Sequence, residues 1–284
     1  DLGYDVLLSN RIFDSLLFWK YDILFSYFYR YSFFAALLAK CFGKKTYFTG
    51  GIDSLDSDYA SAFNYKIQAL FFKLCYWVAD SCIIVSQSDL KNIFKVSSLK
   101  KKLSYSEHVI NTKLFIADVP KEKIFTSIVW MGDEGNVVRK GVDKALQIFA
   151  ELKKIPEFVD YRFVIIGRKG EGEVLVRSII DKYNLKGSVE LKGEVSEEDK
   201  INLLKQSKYY FQLSLYEGFG LAALEALCAN NIIIHSGKGG LANPIYKEQL
   251  LFDIDNDFDS ELLKLVNKLA CFTPITSYDN LLEY

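Results

Sequence analysis

Between residues 124 and 235 the chain repeats one pattern five times. The apolar runs 124–131, 162–166, 189–192, 209–213 and 232–235 each end at a glycine or polar turn, and helical periods fill the intervals between them. A tight turn joins only antiparallel strands, so strands separated by helices imply a parallel sheet covered by its own crossovers. The helices read 142–154, 174–183, 197–206 with Ser196 as cap, and 221–229. The first half alternates in the same way, with strands at 4–9, 22–27, 45–49 and 81–86 and helices at 32–41, 60–79 and 87–94. In the helix at 60–79 the apolar face is read as Ile67, Leu70, Phe71, Leu74 and Val78. Two doubly wound α/β units are therefore expected, with ligands at the carboxyl ends of their strands.

Periodicity fades over 97–123, which carries Lys100-Lys101-Lys102, a solvated turn or an attractor of phosphate-bearing lipid. The expected organisation is a short or truncated N-terminal lobe over 1–118, a C-terminal lobe over 119–272, and a short helical tail over 273–284 that crosses back to the first lobe. Half of the residues are hydrophobic and a quarter charged, which excludes a disordered chain or a coiled-coil rod. Lys+Arg 35 against Asp+Glu 36 leaves no polycationic footprint for nucleic acid. The charge is uneven, with 14 basic and 10 acidic residues in 1–117 and 21 and 26 in 118–284. That is either an unremarkable difference between domains or the mark of a first half that sits near an anionic surface.

The region 16–42 crowds ten aromatic residues into positions 18–34 but is interrupted by Lys20, Asp22, Arg30 and Lys40. It is too charged to span a bilayer, and reads either as a buried strand and helix or as a surface resting among lipid headgroups. The five cysteines form no CxxC pair and read as buried, reduced thiols. The chain opens Asp1-Leu-Gly-Tyr4 with no initiator Met or leader, as a fragment or processed chain would, and a cytoplasmic protein is expected.

The most informative segment is 214–226, SLYEGFGLAALEA. Glycines at the end of a strand and the start of a helix bare backbone N–H groups to an anion. Glu217 lies in that loop, and Glu225 lies eight residues on, about two helical turns away. By spacing alone the two acids are either acceptors for sugar hydroxyls beside the anion site or exposed carboxylates on a glycine-capped turn.

This segment resembles the E-x7-E motif of retaining glycosyltransferase family 4, enzymes of the GT-B fold. The resemblance extends over most of 124–284. Residues 129–142 look like the family's strand, glycine loop and K-G helix start. Residues 163–172 (FVIIGRKGEG), 189–195 (VELKGEV) and 232–244 are similar to its later strands and turns. The fold it implies is GT-B, two Rossmann-like lobes whose parallel sheets face each other across a cleft.

Carried over, the resemblance makes Glu225 the acid that holds the nucleotide ribose and Glu217 the acid beside the donor sugar. The backbone of Gly218, Phe219, Gly220 and Leu221 would hold the sugar and diphosphate, and Lys140 would bind the diphosphate. The family usually has an Arg directly after the glycine of the preceding strand. Here Asp133 follows Gly132, and Arg139 is either its replacement or a solvated neighbour of the lysine. Gly193 and Val195 would lie near the base. The triplets Asp56-Ser-Asp58, Asp253-Ile-Asp255 and Asp255-Asn-Asp257 have the form that binds metal in the other major glycosyltransferase fold, but no cofactor or metal is expected, since Lys140 and a helix N-terminus supply the positive charge.

In the first half, 79–86 resembles the acceptor lobe's last strand, and 109–115 resembles the I-P-N-G-V-D-x-x-x-F segment with residues missing. Gly50, Gly51 and Asp53 fall on the acceptor side, where the family often carries a His that this chain lacks. The resemblance implies transfer of a sugar with retention from a nucleoside-diphosphate sugar to a saccharide or lipid-linked acceptor, as in bacterial surface polysaccharide or glycolipid assembly. Peripheral contact with an anionic membrane at its inner face accompanies that reading. The alternative is a non-catalytic GT-B subunit that binds sugar nucleotide or stabilises a partner.

Overall fold

A computed structural model describes residues 6, 17–50, 55–56, 60–97, 100–116 and 119–271. The chain divides into two compact units, Asp1–Glu107 and His108–Tyr284. This boundary precedes the one expected at 118, because Ile110 and the buried Phe115 pack into the hydrophobic cluster of the second unit.

Unit 1 comprises β1 (Ile23–Tyr27), α1 (Tyr29–Cys41), β2 (Lys45–Thr49), α2 (Ala62–Val78), β3 (Ser81–Ile84), α3 (Gln87–Val96) and β4 (Leu103–Tyr105). Its four strands are parallel in the order β1-β2-β3-β4. The core centres on Tyr29, whose ring stacks on Phe48 at 5.7 Å and meets Phe72 edge-on at 5.2 Å. The Asp80 carboxylate accepts from the Thr46 N–H at 2.9 Å and from Lys40 Nζ at 2.8 Å, tying the end of α1 to the start of β2.

Unit 2 comprises β5 (Glu122–Ile128), α4 (Glu134–Arg139), α5 (Val142–Leu152), β6 (Arg162–Ile166), α6 (Glu173–Lys182), β7 (Val189–Gly193), α7 (Glu197–Gln206), β8 (Ser207–Gln212), α8 (Leu221–Cys228), β9 (Ile232–His235), β10 (Leu250–Leu251) and α9 (Phe258–Cys271). Its six strands are all parallel, in the order β10-β9-β8-β5-β6-β7. The first strand therefore lies at the centre, and the order reverses between β5 and β8. Crossovers leaving these two strands run to opposite sides, which opens a crevice at their carboxyl ends. Phe125 anchors the sheet by stacking on Tyr209 at 4.6 Å and on Phe211 at 5.1 Å.

Several details differ from the sequence reading. On α2 the buried residues are Gln68, Phe72, Cys75, Tyr76 and Val78, whereas Leu70 faces solvent. Of the expected face, Val78 is buried and Phe71 and Leu74 pack against the core from its edge, so the buried stripe is rotated from the expected one and Leu70 falls outside it. The additional elements are short: β4 has three residues and β10 two, and α4 has six with a glycine inside it. Asp133 makes α4 possible by accepting the Asn136 N–H at 2.6 Å. Cys75, Cys82 and Cys228 are buried as expected, but Cys41 is exposed on the last turn of α1. Lys102 is no free solvated charge, since its Nζ donates to the Trp77 carbonyl at 2.9 Å. Apart from Val6, the strand at 4–9 lies outside the described residues, as does the tail at 273–284.

Candidate functional site

Three loops meet at the carboxyl ends of β5 and β8. The loop after β5 interleaves with the one after β6. The Met131 N–H donates to Arg168 O at 2.9 Å, and the Gly172 N–H returns to Met131 O at 3.2 Å. The loop after β8 is joined to the end of α4, where the Leu215 N–H donates to Arg139 O at 2.8 Å. Gly141 caps α5 with φ +69°, and a Cβ there would stand 2.0 Å from the Leu213 carbonyl oxygen. Only glycine allows this approach, which carries Lys140 to the β8 loop.

Lys140 Nζ meets Glu217 Oε2 at 2.7 Å across 77 residues of sequence, with both side chains mostly buried. The same carboxylate oxygen accepts from Gln212 Nε2 and Ser214 Oγ, each at 3.1 Å. Tyr210 Oη in turn donates to Gln212 Oε1 at 3.1 Å. Glu217 is thus held by one cation and two neutral donors, with its second oxygen outside these bonds. The loop after β9 supports it from below, since the Gly240 N–H donates to Glu217 O at 2.6 Å. A Cβ on Gly239 would lie 2.1 Å from that oxygen, so the two backbones touch without intervening side chains.

Gly220, in the left-handed region at φ +89°, starts α8, and its carbonyl accepts from Tyr246 Oη at 3.3 Å. The first N–H groups of α8 are left to face the loop, as at any helix start. Gly218 has open space around it, Leu221 is partly exposed, and the Phe219 ring lies 5.2 Å from His108. Glu225 on α8 is bound by Lys200 of α7 at 2.9 Å, and Lys200 also pairs with Glu197 at 2.8 Å. Burial of Lys200 works against its charge, but the hydrogen bonds it donates to the two carboxylates, with their charge, outweigh it and raise its pKa.

The remaining predicted residues are more dispersed. The Arg139 guanidinium is occupied by Asn136 Oδ1, at 2.6 and 3.2 Å. Gly193 sits at the end of β7, where its carbonyl accepts from the Gly167 N–H at 2.8 Å and its Cα faces the Lys169 side chain. Val195, just beyond, packs on the cluster of Ile124, Val164, Ile166 and Leu203. Gly50 ends β2 in unit 1 with φ +72°, and Gly51 and Asp53 lie outside the described residues. In the 253–257 triplets, Asp253 accepts from the Asp255 N–H and from Asn256, while Asp255 pairs with Lys238. These carboxylates act as turn acceptors.

Gln212, Ser214 and Lys200 carry no role in the sequence reading, although Ser214 opens its most informative segment. The first two had a signal: polar residues two apart at the end of a central strand, both buried. Lys200 had none beyond its i,i+3 spacing to Glu197.

Residues 135–269 match the model of the family Glycosyl transferases group 1. The chain is 32% identical over 163 residues to GDP-mannose:cellobiosyl-diphosphopolyprenol alpha-mannosyltransferase of Xanthomonas oryzae pv. oryzae, covering 50% of this chain and 40% of that protein. It is 27% identical over 129 residues to a phosphatidylinositol N-acetylglucosaminyltransferase subunit of Saccharomyces cerevisiae, covering 45% of this chain and 28% of that one. The chain thus spans less than half the length of these relatives. Among solved structures, sucrose-phosphate synthase from Thermosynechococcus elongatus superposes with a TM-score of 0.72 at 21% identity, over 88% of this chain and 65% of its own. At that identity the likeness speaks for the fold alone, and the fold is that of GT-B enzymes, with two Rossmann-like parallel units.

Proposed function

We propose that the chain transfers a sugar from a nucleoside-diphosphate sugar to an acceptor hydroxyl with retention at the anomeric carbon. The observation that carries this reading is the Lys140–Glu217 pair at 2.7 Å, set at the sheet's switch point beside the start of α8. Breaking the bond to the departing diphosphate places negative charge on its oxygens. The Lys140 ammonium and the first amides of α8 stabilise that charge more than they stabilise the bound donor, which lowers the barrier.

Glu217 accepts hydroxyl hydrogens of the donor sugar, with Gln212 and Ser214 fixing its orientation. Glu225 accepts the ribose hydroxyls, and Lys200, paired with that carboxylate at 2.9 Å, holds it in place. The acceptor hydroxyl attacks from the face that the diphosphate leaves, and the diphosphate oxygen takes the acceptor's proton. The positive charge comes from Lys140 and backbone amides, so this mechanism assigns no step to a metal. Arg139, Gly193 and Val195 take lesser parts in donor binding, and Gly50 lies on the acceptor side.

The names of the relatives support a saccharide or lipid-linked acceptor. We place the protein in the cytoplasm at the inner face of the cell membrane, in surface polysaccharide or glycolipid assembly.

The test is release of nucleoside diphosphate from a panel of sugar nucleotides, with the anomeric configuration of the product read by NMR. Lys140→Ala and Glu217→Ala are each expected to lower the rate by roughly 10²–10³-fold. Wild-type rates in both variants would refute the assignment, and donor binding without any turnover would indicate a non-catalytic subunit instead.

A further inference from the structure

We infer that the outer face of α2 is the surface by which unit 1 rests on an anionic lipid bilayer. The inference rests on the membrane-edge residence proposed above and gives it a specific surface. Phe63, Lys66, Leu70, Lys73 and Trp77 follow one another at spacings of three, four, three and four, so they form one stripe along the helix. All five are exposed, Phe63 by 72%, Leu70 by 55% and Trp77 by 71%. The opposite face, with Gln68, Phe72 and Cys75, is buried in the unit.

On the neighbouring α1, Phe34 is likewise 71% exposed, while Phe33 beside it is buried and packs on Phe71 of α2 at 6.2 Å. Large apolar side chains gathered on one exposed face mark an interaction surface, whereas scattered ones need no explanation.

The occupant follows from charge and geometry. Neither α1 nor α2 contains an Asp or Glu, and the nearby Asp80 is already engaged by Lys40 and Lys45. The stripe therefore offers lysines between aromatic and aliphatic side chains with no acid among them. A second copy docked through the same stripe would set lysine against lysine without a counter-charge, since a two-fold contact pairs a surface with itself.

An anionic headgroup layer instead accepts the ammonium groups while Phe63, Leu70 and Trp77 enter the acyl boundary. Fourteen residues of rise make the stripe about 21 Å long, so it lies flat on the surface. Among the described residues no helix is long and apolar enough to cross a membrane. At the end of α2, Lys102 bonds the Trp77 carbonyl and so places a further basic residue at the stripe's rim.

The experiment is vesicle co-sedimentation of the whole chain with equal parts phosphatidylglycerol and phosphatidylcholine, compared with phosphatidylcholine alone. Wild type is expected to pellet with the anionic vesicles and to be released by salt. K66E/K73E is expected to reduce binding at least tenfold, each lysine near such a surface being worth about fivefold. F63S/W77S is expected to weaken it to a similar degree, and a Trp77 fluorescence blue shift on binding should vanish in Trp77→Phe. Circular dichroism and the shift of melting temperature with nucleoside diphosphates confirm that each variant is folded and report on the donor site separately.

Wild type left in the supernatant would overturn the membrane residence. Wild-type binding that both stripe variants retain would overturn this surface alone. Stripe variants that change only the oligomeric state would assign the face to a second copy, against the inference.

Discussion

His235 ends β9 with 6% of its surface exposed, its ring 5.6 Å from that of Tyr246. Burial pushes its pKa down to about 4, below the ordinary 6.5. The unfolded chain therefore binds this proton first as the pH falls. The contribution to stability is complete above about pH 6.5 and is lost progressively down to pH 4. Unfolding in urea at pH 7 and pH 5 should show a loss of about 2 kcal/mol from this group. His235→Phe should remove that part of the pH dependence, and an unchanged slope would contradict it. At the same scale the Lys140–Glu217 contact shows how a site escapes a reading by pattern. The two residues lie 77 positions apart, and nothing in either local segment announces the other. Only the resemblance to a known motif paired them in advance. Gln212 reads as an ordinary strand residue and Ser214 as the first of the loop, until the fold turns both toward Glu217.

At the scale of elements, the central strands β5, β6, β8 and β9 were legible because they are buried on both faces, which turns them into short apolar runs, whereas the edge strand β7 alternates half-buried Val189 and Leu191 with exposed Glu190 and Lys192. The short α4 was hidden by Gly135 and by having six residues, too few for a period to show. On α2 burial was decided by packing against Tyr29 and Phe33 and not by sequence spacing. The glycine joints hold these elements together and can be tested. Gly141→Ala combines a left-handed backbone with a Cβ 2.0 Å from Leu213 O, and is expected to cost about 3 kcal/mol or more in denaturant unfolding. Gly187→Ala has a similar φ of +85° but open space, and should cost only about 1 kcal/mol. Equal costs at the two positions would show that the close approach at Gly141 is not rigid. The helix cap at Ser196, which accepts the Asp199 N–H at 3.1 Å, should contribute about 1 kcal/mol by Ser196→Ala.

At the scale of the whole molecule, the hydrophobic clusters of the two units share no residue. Calorimetry is therefore expected to resolve two unfolding steps. Lys140, Glu217 and Glu225 all belong to unit 2, so a nucleoside diphosphate at about 100 times its Kd should raise that unit's step alone, by about 2.7 kcal/mol. A single transition moved as one by the ligand would contradict this. The position of β5 has a consequence for synthesis. It pairs with β6 through residues 124–128 and 162–166, but its other neighbour, β8, begins only at Ser207. A chain emerging from the ribosome can lay β6 beside β5, and β7 beside β6, while the opposite flank of β5 stays bare until β8 begins at Ser207, some eighty residues after β5 ends at Ile128. The crevice between β5 and β8 straddles that late seam, so a truncated product of translation would keep half a sheet and no crevice.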